Sequence, residues 1–93
     1  MSSYRIFETE EFLKKFEKLD APDKTFIKNK LSSYIYPQLR VELHFGRNIK
    51  KLKGYVPGTW RYRVGKFRVF YAVDQEEGII SILTLDHRKD AYR

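Results

Sequence analysis

From Thr59 onward the chain alternates in twos. Trp60, Tyr62 and Val64, then Phe67, Val69, Tyr71 and Val73, are apolar or aromatic at every second position, which is the period of a strand with one buried face. Gly65-Lys66 interrupts the alternation and predicts a two-residue hairpin turn, with glycine supplying a positive φ. Strands over Thr59 to Val64 and Phe67 to Val73 follow, with Val64 paired to Phe67. That pairing sets Arg63 opposite Arg68, with Arg61 and Phe70 on the same side, away from the apolar face. Asp74-Gln75-Glu76-Glu77-Gly78 is a second turn. If it pairs Val73 with Ile79, a third strand over Ile79 to Leu85 adds Ile80, Ile82 and, farther on, Arg88 to the arginine side.

The first forty residues carry a helical period instead. Tyr4 to Phe7 is a short strand-like segment, and Thr9 can cap a helix that opens with Glu10 and Glu11 at the positive end of its dipole. Phe12, Leu13, Phe16 and Leu19 repeat at helical spacing. Asp20-Ala21-Pro22-Asp23 breaks the chain, with Pro22 in the first turn of a second helix. That helix should run to about Tyr36 on an apolar stripe of Ile27, Leu31, Tyr34 and Ile35, with Lys24, Lys28 and Lys30 on its wet side. Pro37 is expected to stop it. Gln38 to Gly58 is expected to be loop, with Lys50-Lys51-Leu52-Lys53-Gly54 on an irregular connection. The order β-α-α-β-β-β predicts an α+β fold. Two N-terminal helices would pack on one face of a small, twisted, mainly antiparallel sheet, leaving the other face to solvent or a ligand. Ninety-three residues suffice for one domain over 1–93.

Charge sharpens this picture. The formal net charge is +7, and it sits on one half. Residues 1–39 hold seven Lys/Arg against six Asp/Glu, and residues 40–93 hold twelve against six. Between Glu42 and Asp74 there is no acidic residue, yet Arg47, Lys50, Lys51, Lys53, Arg61, Arg63, Lys66 and Arg68 all fall there. Like charges placed opposite one another weaken a sheet, so folding alone gives no reason for Arg63 to face Arg68. A bound polyanion gives one.

Other chemistries are excluded or unsupported. Without cysteine there is no disulfide framework, thiolate nucleophile or Cys-type zinc site. Glycine-rich phosphate loops and serine elbows are absent from the sequence. Asp86, His87 and Asp90 are the only clustered oxygen and nitrogen ligands; consecutive residues diverge on a strand, so neither metal nor other cofactor is expected. Met1-Ser2-Ser3-Tyr4-Arg5 has no apolar signal core, and the run Val69 to Val73 is far too short to span a bilayer, so a cytoplasmic protein with no membrane partner is expected.

What remains is arginine chemistry. The guanidinium fork donates two parallel hydrogen bonds to a phosphate and stays charged, so several such groups on one face can clamp a phosphodiester and stabilise charge that builds up on it. At the end of the chain, Asp86-His87-Arg88-Lys89-Asp90-Ala91-Tyr92 groups an imidazole, a guanidinium and a phenol, which can move protons or hold charge.

The run Lys51-Leu52-Lys53-Gly54, then Trp60-Arg61-Tyr62-Arg63-Val64-Gly65-Lys66-Phe67-Arg68-Val69-Phe70-Tyr71, then Ile82-Leu83 leading to His87-Arg88-Lys89-Asp90-Ala91-Tyr92-Arg93, resembles the RelE/ParE superfamily of toxin–antitoxin toxins across essentially the whole chain. The resemblance implies the RelE-like microbial RNase fold. RelE-like members are ribosome-dependent endoribonucleases that cut mRNA; ParE-like members share the fold and poison DNA gyrase. RelE-type catalytic roles fall on Arg61, Arg63, Arg68, Arg88 and Tyr92, with His87 beside them, and favour metal-independent attack of a 2′-hydroxyl on the adjacent phosphate. Some relatives carry lysines where this chain has Arg61 and Arg63. Since arginine does not act as a base, proton transfer passes to His87 or Tyr92. Arg47, Lys50, Lys51, Lys53 and Lys66 would dock RNA of the ribosome or message through its backbone. The implied partners are a cognate antitoxin, the ribosome and mRNA. A ParE-like gyrase inhibitor and a non-catalytic RNA-binding module are the alternatives.

Overall fold

The computed structural model describes residues 4–41, 49–52 and 58–87. Strand β1 (Arg5–Glu8) leads into helices α1 (Glu10–Glu17) and α2 (Ala21–Lys30). A π-helical turn (Leu31–Ile35) joins α2 to α3 (Tyr36–Val41), and β2 (Ile49–Leu52), β3 (Thr59–Val64), β4 (Phe67–Asp74) and β5 (Ile79–His87) follow. The strands form one sheet in the order β1-β5-β4-β3-β2, with β1 parallel to β5 and every other pairing antiparallel.

The expected Thr9 cap forms, and Asp20 caps the second helix as well. The Thr9 hydroxyl accepts the Phe12 N–H at 3.2 Å, and the Asp20 carboxylate accepts the Asp23 N–H at 3.1 Å. The second helix does not stop before Pro37. Ile27, Leu31, Ile35 and Leu39 are all buried, a spacing of four that drifts by about 40° per step on an ordinary helix. The π turn, in which the Tyr36 N–H reaches the Leu31 carbonyl, restores the stripe and widens the helix just ahead of the proline. Tyr34 is thereby left outside the apolar stripe expected to hold it and is 63% exposed; Leu13 of α1 is likewise exposed.

Trp60, Tyr62, Val64, Phe67, Val69, Tyr71 and Val73 pack with these helical residues and Phe12 in one core, as the alternation predicts. Two further expectations fail. Ile49–Leu52 is a strand, paired antiparallel with β3, where an irregular connection was expected. The second turn sets Asp74 opposite Ile79, so Val73 pairs with Ile80. Ile80 and Ile82 are therefore fully buried in the core. A bulge then inserts Leu83, since Phe70 pairs with Thr84 and Tyr71 with Ile82. Thr9 secures it: its hydroxyl donates toward the Ile82 and Leu83 carbonyls, at 2.8 and 2.9 Å. Past the bulge, Leu85 and His87 fall on the core side, and Thr84 and Asp86 on the other.

Candidate functional site

The turn Gly65-Lys66 forms as expected. Gly65 has φ +59°, no other residue type has positive φ among the described residues, and Val64 pairs with Phe67. This is the pattern of a type II′ turn. The sheet face away from the helices therefore carries two short rows. Lys50, Arg61, Phe70 and Thr84 are successive cross-strand neighbours from β2 to β5; Arg63, Arg68 and Asp86 form the next row.

Arg61 and Arg68 are half-buried, while Arg63 and Lys50 are exposed. The Arg68 guanidinium carbon lies 5.7 Å from the centre of the Phe70 ring. Arg61 Nε and Thr84 Oγ1 are buried with no hydrogen-bond partner among the described residues. Such groups cost free energy unless something supplies an acceptor or a donor. A phosphate oxygen fits the arginine donor well.

The acid in this region is already engaged. Asp86 stands opposite Arg68, and its carboxylate accepts from Lys15 Nζ of α1 at 3.0 Å. Neither residue was singled out for this role in the sequence, because they lie 71 positions apart and no local pattern connects them.

Other candidate residues are dispersed. His87 pairs with Phe67 on the helix side of the sheet, its ring edge-on to the Phe67 ring at 5.1 Å, so the bulge turns it away from the arginine rows. Lys51 also lies on the helix side, opposite Trp60 with its ammonium 5.4 Å from that ring. Lys66 sits in the turn, 3.7 Å from the Asp23 carboxylate. Arg47, Lys53, Arg88 and Tyr92 lie outside the described residues.

Tyr36, Tyr62 and Tyr71 are poorly suited to accept a proton. Burial raises the Tyr62 pKa, and its hydroxyl donates to Gln38 Oε1 at 2.7 Å. Burial also raises Tyr71, and burial together with a hydrogen bond to Glu8 raises Tyr36. These three phenols hold their protons and serve the core.

Residues 6–92 match a family model described as ParE toxin of type II toxin-antitoxin system, parDE. The chain belongs to the RelE/ParE superfamily of type II toxins. The toxin is 41% identical over 44 residues to Toxin RelG of Mycobacterium tuberculosis, a stretch covering 47% of this chain and 51% of that protein. It thus spans about half the length of the curated relative it matches. Its fold superposes on the RelBE2 toxin–antitoxin complex of the same organism with a TM-score of 0.70 at 26% identity, covering 92% of this chain and 99% of that one. The RelB-RelE antitoxin–toxin complex from Methanococcus jannaschii gives 0.66 at 24%, covering 92% and 94%. The isolated E. coli RelE toxin gives 0.64 at 22%, covering 91% and 84%. The last two show the shared fold. No helix among the described residues is long and apolar enough to cross a membrane.

Proposed function

We propose that this toxin is a ribosome-dependent endoribonuclease that cleaves mRNA by transesterification. The 2′-hydroxyl loses its proton and bonds to the adjacent phosphorus; the bond from phosphorus to the 5′-oxygen breaks, and that oxygen takes up a proton. The products are a 2′,3′-cyclic phosphate and a free 5′-hydroxyl. Arg61, Arg63 and Arg68 hold the phosphate and stabilise the charge of the phosphorane, with Arg88 joining them by family resemblance. Lys50 extends the row along the RNA backbone, and Arg47, Lys51, Lys53 and Lys66 dock ribosomal RNA. None of these steps calls for a metal.

The observation that supports this reading is the cross-strand pair Arg63 and Arg68, with Arg61 and Lys50 beside it on one face. Since His87 is aimed at Phe67, proton transfer is assigned to Tyr92. A ribosome that orients the message reduces what the protein's own acid and base must supply. A cognate antitoxin would cover this face in the cytoplasm.

End mapping on message from a translating extract tests the proposal. New cyclic-phosphate ends are expected with the wild-type toxin and not with Arg68→Ala, while the variant keeps its fold. One observation favours a second reading: the matching family model carries the ParE description. A ParE-like topoisomerase inhibitor would leave message intact and block supercoiling, and that result would displace the nuclease.

A further inference from the structure

At the turn end of the β3–β4 hairpin, a pocket of about 220 Å³ lies between the helical layer and the sheet, lined by Lys30, Tyr34, Tyr62, Arg63, Val64 and Gly65 among others. Among the described residues, no acidic side chain lines it. Its most conspicuous member is Tyr34, which the π turn places outside the buried stripe and leaves 63% exposed. The Lys30 ammonium stands 4.8 Å from the centre of the Tyr34 ring and 5.9 Å from that of Phe26. Aromatic rings in water beside cations are what single-stranded nucleic acids use: the ring stacks a base, and the cations take phosphates. Arg63 links the pocket to the arginine rows, since it lines the one and pairs with Arg68 in the other.

We infer that this pocket is a second nucleotide subsite for single-stranded RNA. Tyr34 stacks a base, and Lys30 and Arg63 hold the phosphates on either side of it, so the strand passes around the hairpin end onto the arginine rows. The subsite rests on the reading that those rows hold RNA; it adds binding beyond the scissile phosphate and takes no part in the proton transfers. Acidic side chains of a protein could also meet Lys30 and Arg63, but would leave an exposed tyrosine with a cation on its face without a role.

The test uses an oligoribonucleotide methylated at every 2′-oxygen, which 2′-hydroxyl attack cannot cleave, carrying one 5-iodouridine at successive positions. Irradiation with the full-length toxin at low salt should crosslink one position to Tyr34, mapped by mass spectrometry. Tyr34→Ala should weaken binding about tenfold, Tyr34→Phe should leave it unchanged, and Lys30→Met should flatten the salt dependence by about one phosphate contact. Absence of a crosslink at Tyr34, or unchanged binding by Tyr34→Ala, overturns the subsite and leaves the pocket to a protein partner. End mapping in parallel separates the two readings. A crosslink without cleaved message removes the nuclease and keeps the subsite; cleaved message without a crosslink does the reverse.

Discussion

Arg68 and Asp86 are cross-strand neighbours, and the Asp86 carboxylate is held by Lys15, 3.0 Å away on the first helix. The pair is only partly exposed, at 42% for the lysine and 34% for the aspartate. Its consequence for the proposed nuclease is electrostatic. With Lys15 in place, the negative charge of Asp86 beside Arg68 is neutralised from the side of α1, and the field over Arg68 stays positive for phosphate. Lys15→Met should therefore lower cleavage about threefold, the scale of a half-exposed ion pair. Adding Asp86→Asn to that variant should restore it, measured as initial rates in a translating extract. A double variant no faster than Lys15→Met would show that Lys15 acts by some other route.

The opposed arginines predict a conflict between stability and function. Like charges directly across a sheet are destabilising, on the same scale of about 0.2–1 kcal/mol that opposite charges contribute favourably. Arg63 is exposed, so Arg63→Gln removes repulsion with little loss of packing. Its urea midpoint should rise at low salt, and the gain should vanish near 1 M salt, where the Debye length falls to about 3 Å. Cleavage should fall in the same variant. A midpoint that drops at low salt would mean that Arg63 is held by favourable contacts within the fold, and that its charge is not reserved for a ligand.

What the sequence makes legible follows the range of the interaction. The Thr9 cap, the break at Asp20-Ala21-Pro22-Asp23, the Gly65-Lys66 turn and the arginine face depend on neighbours within a few positions or on one short-turn register, and all are visible in the chain. The second turn begins one residue later than its composition suggests, which reverses the expected faces of Ile80 and Ile82. The bulge at Leu83, which depends on Thr9 more than seventy positions away, shifts the alternation back by the time it reaches His87. Pro37 is a local stop signal overridden by packing, because Ile27, Leu31, Ile35 and Leu39 bury more favourably along a continuous helix with a π turn than the proline disfavours it. Strand β2 escapes notice because its two central residues are Lys50 and Lys51, which mimic a loop; at a sheet edge such lysines guard against pairing with other chains. The Lys15–Asp86 pair leaves no local trace at all.

The two glycines of positive φ permit a controlled comparison. Gly65 at +59° and Gly78 at +68° both occupy the left-handed region, where a side chain costs about 1–2 kcal/mol. A Cβ at Gly78 would meet nothing within 4 Å, whereas one at Gly65 would lie 3.0 Å from the Phe26 ring. Gly78→Ala should then cost the backbone term alone. Gly65→Ala should cost more, and the excess should disappear in a Phe26→Ala background. Equal losses for the two single variants in urea melts would show that Phe26 moves aside freely.

Tyr71 predicts how the toxin fails in alkali. It is fully buried and stacks on its cross-strand partner Trp60 with ring centres 6.0 Å apart, and burial raises its pKa above the ordinary 10.0. Above pH 10 the unfolded chain releases this proton while the native chain keeps it. The unfolded state then binds fewer protons, and stability falls as pH rises, by up to about 1.4 kcal/mol per pH unit from this one group. Below pH 10 both states are protonated and the contribution is complete. Tyr71→Phe cannot ionise, so its urea midpoint should decline less steeply than the wild type between pH 9.5 and 11. The decline should not vanish, because Tyr36 and Tyr62 are shifted in the same direction. Parallel curves for the two proteins would mean that the native state opens enough to ionise Tyr71, and that the stack on Trp60 does not shield it from hydroxide.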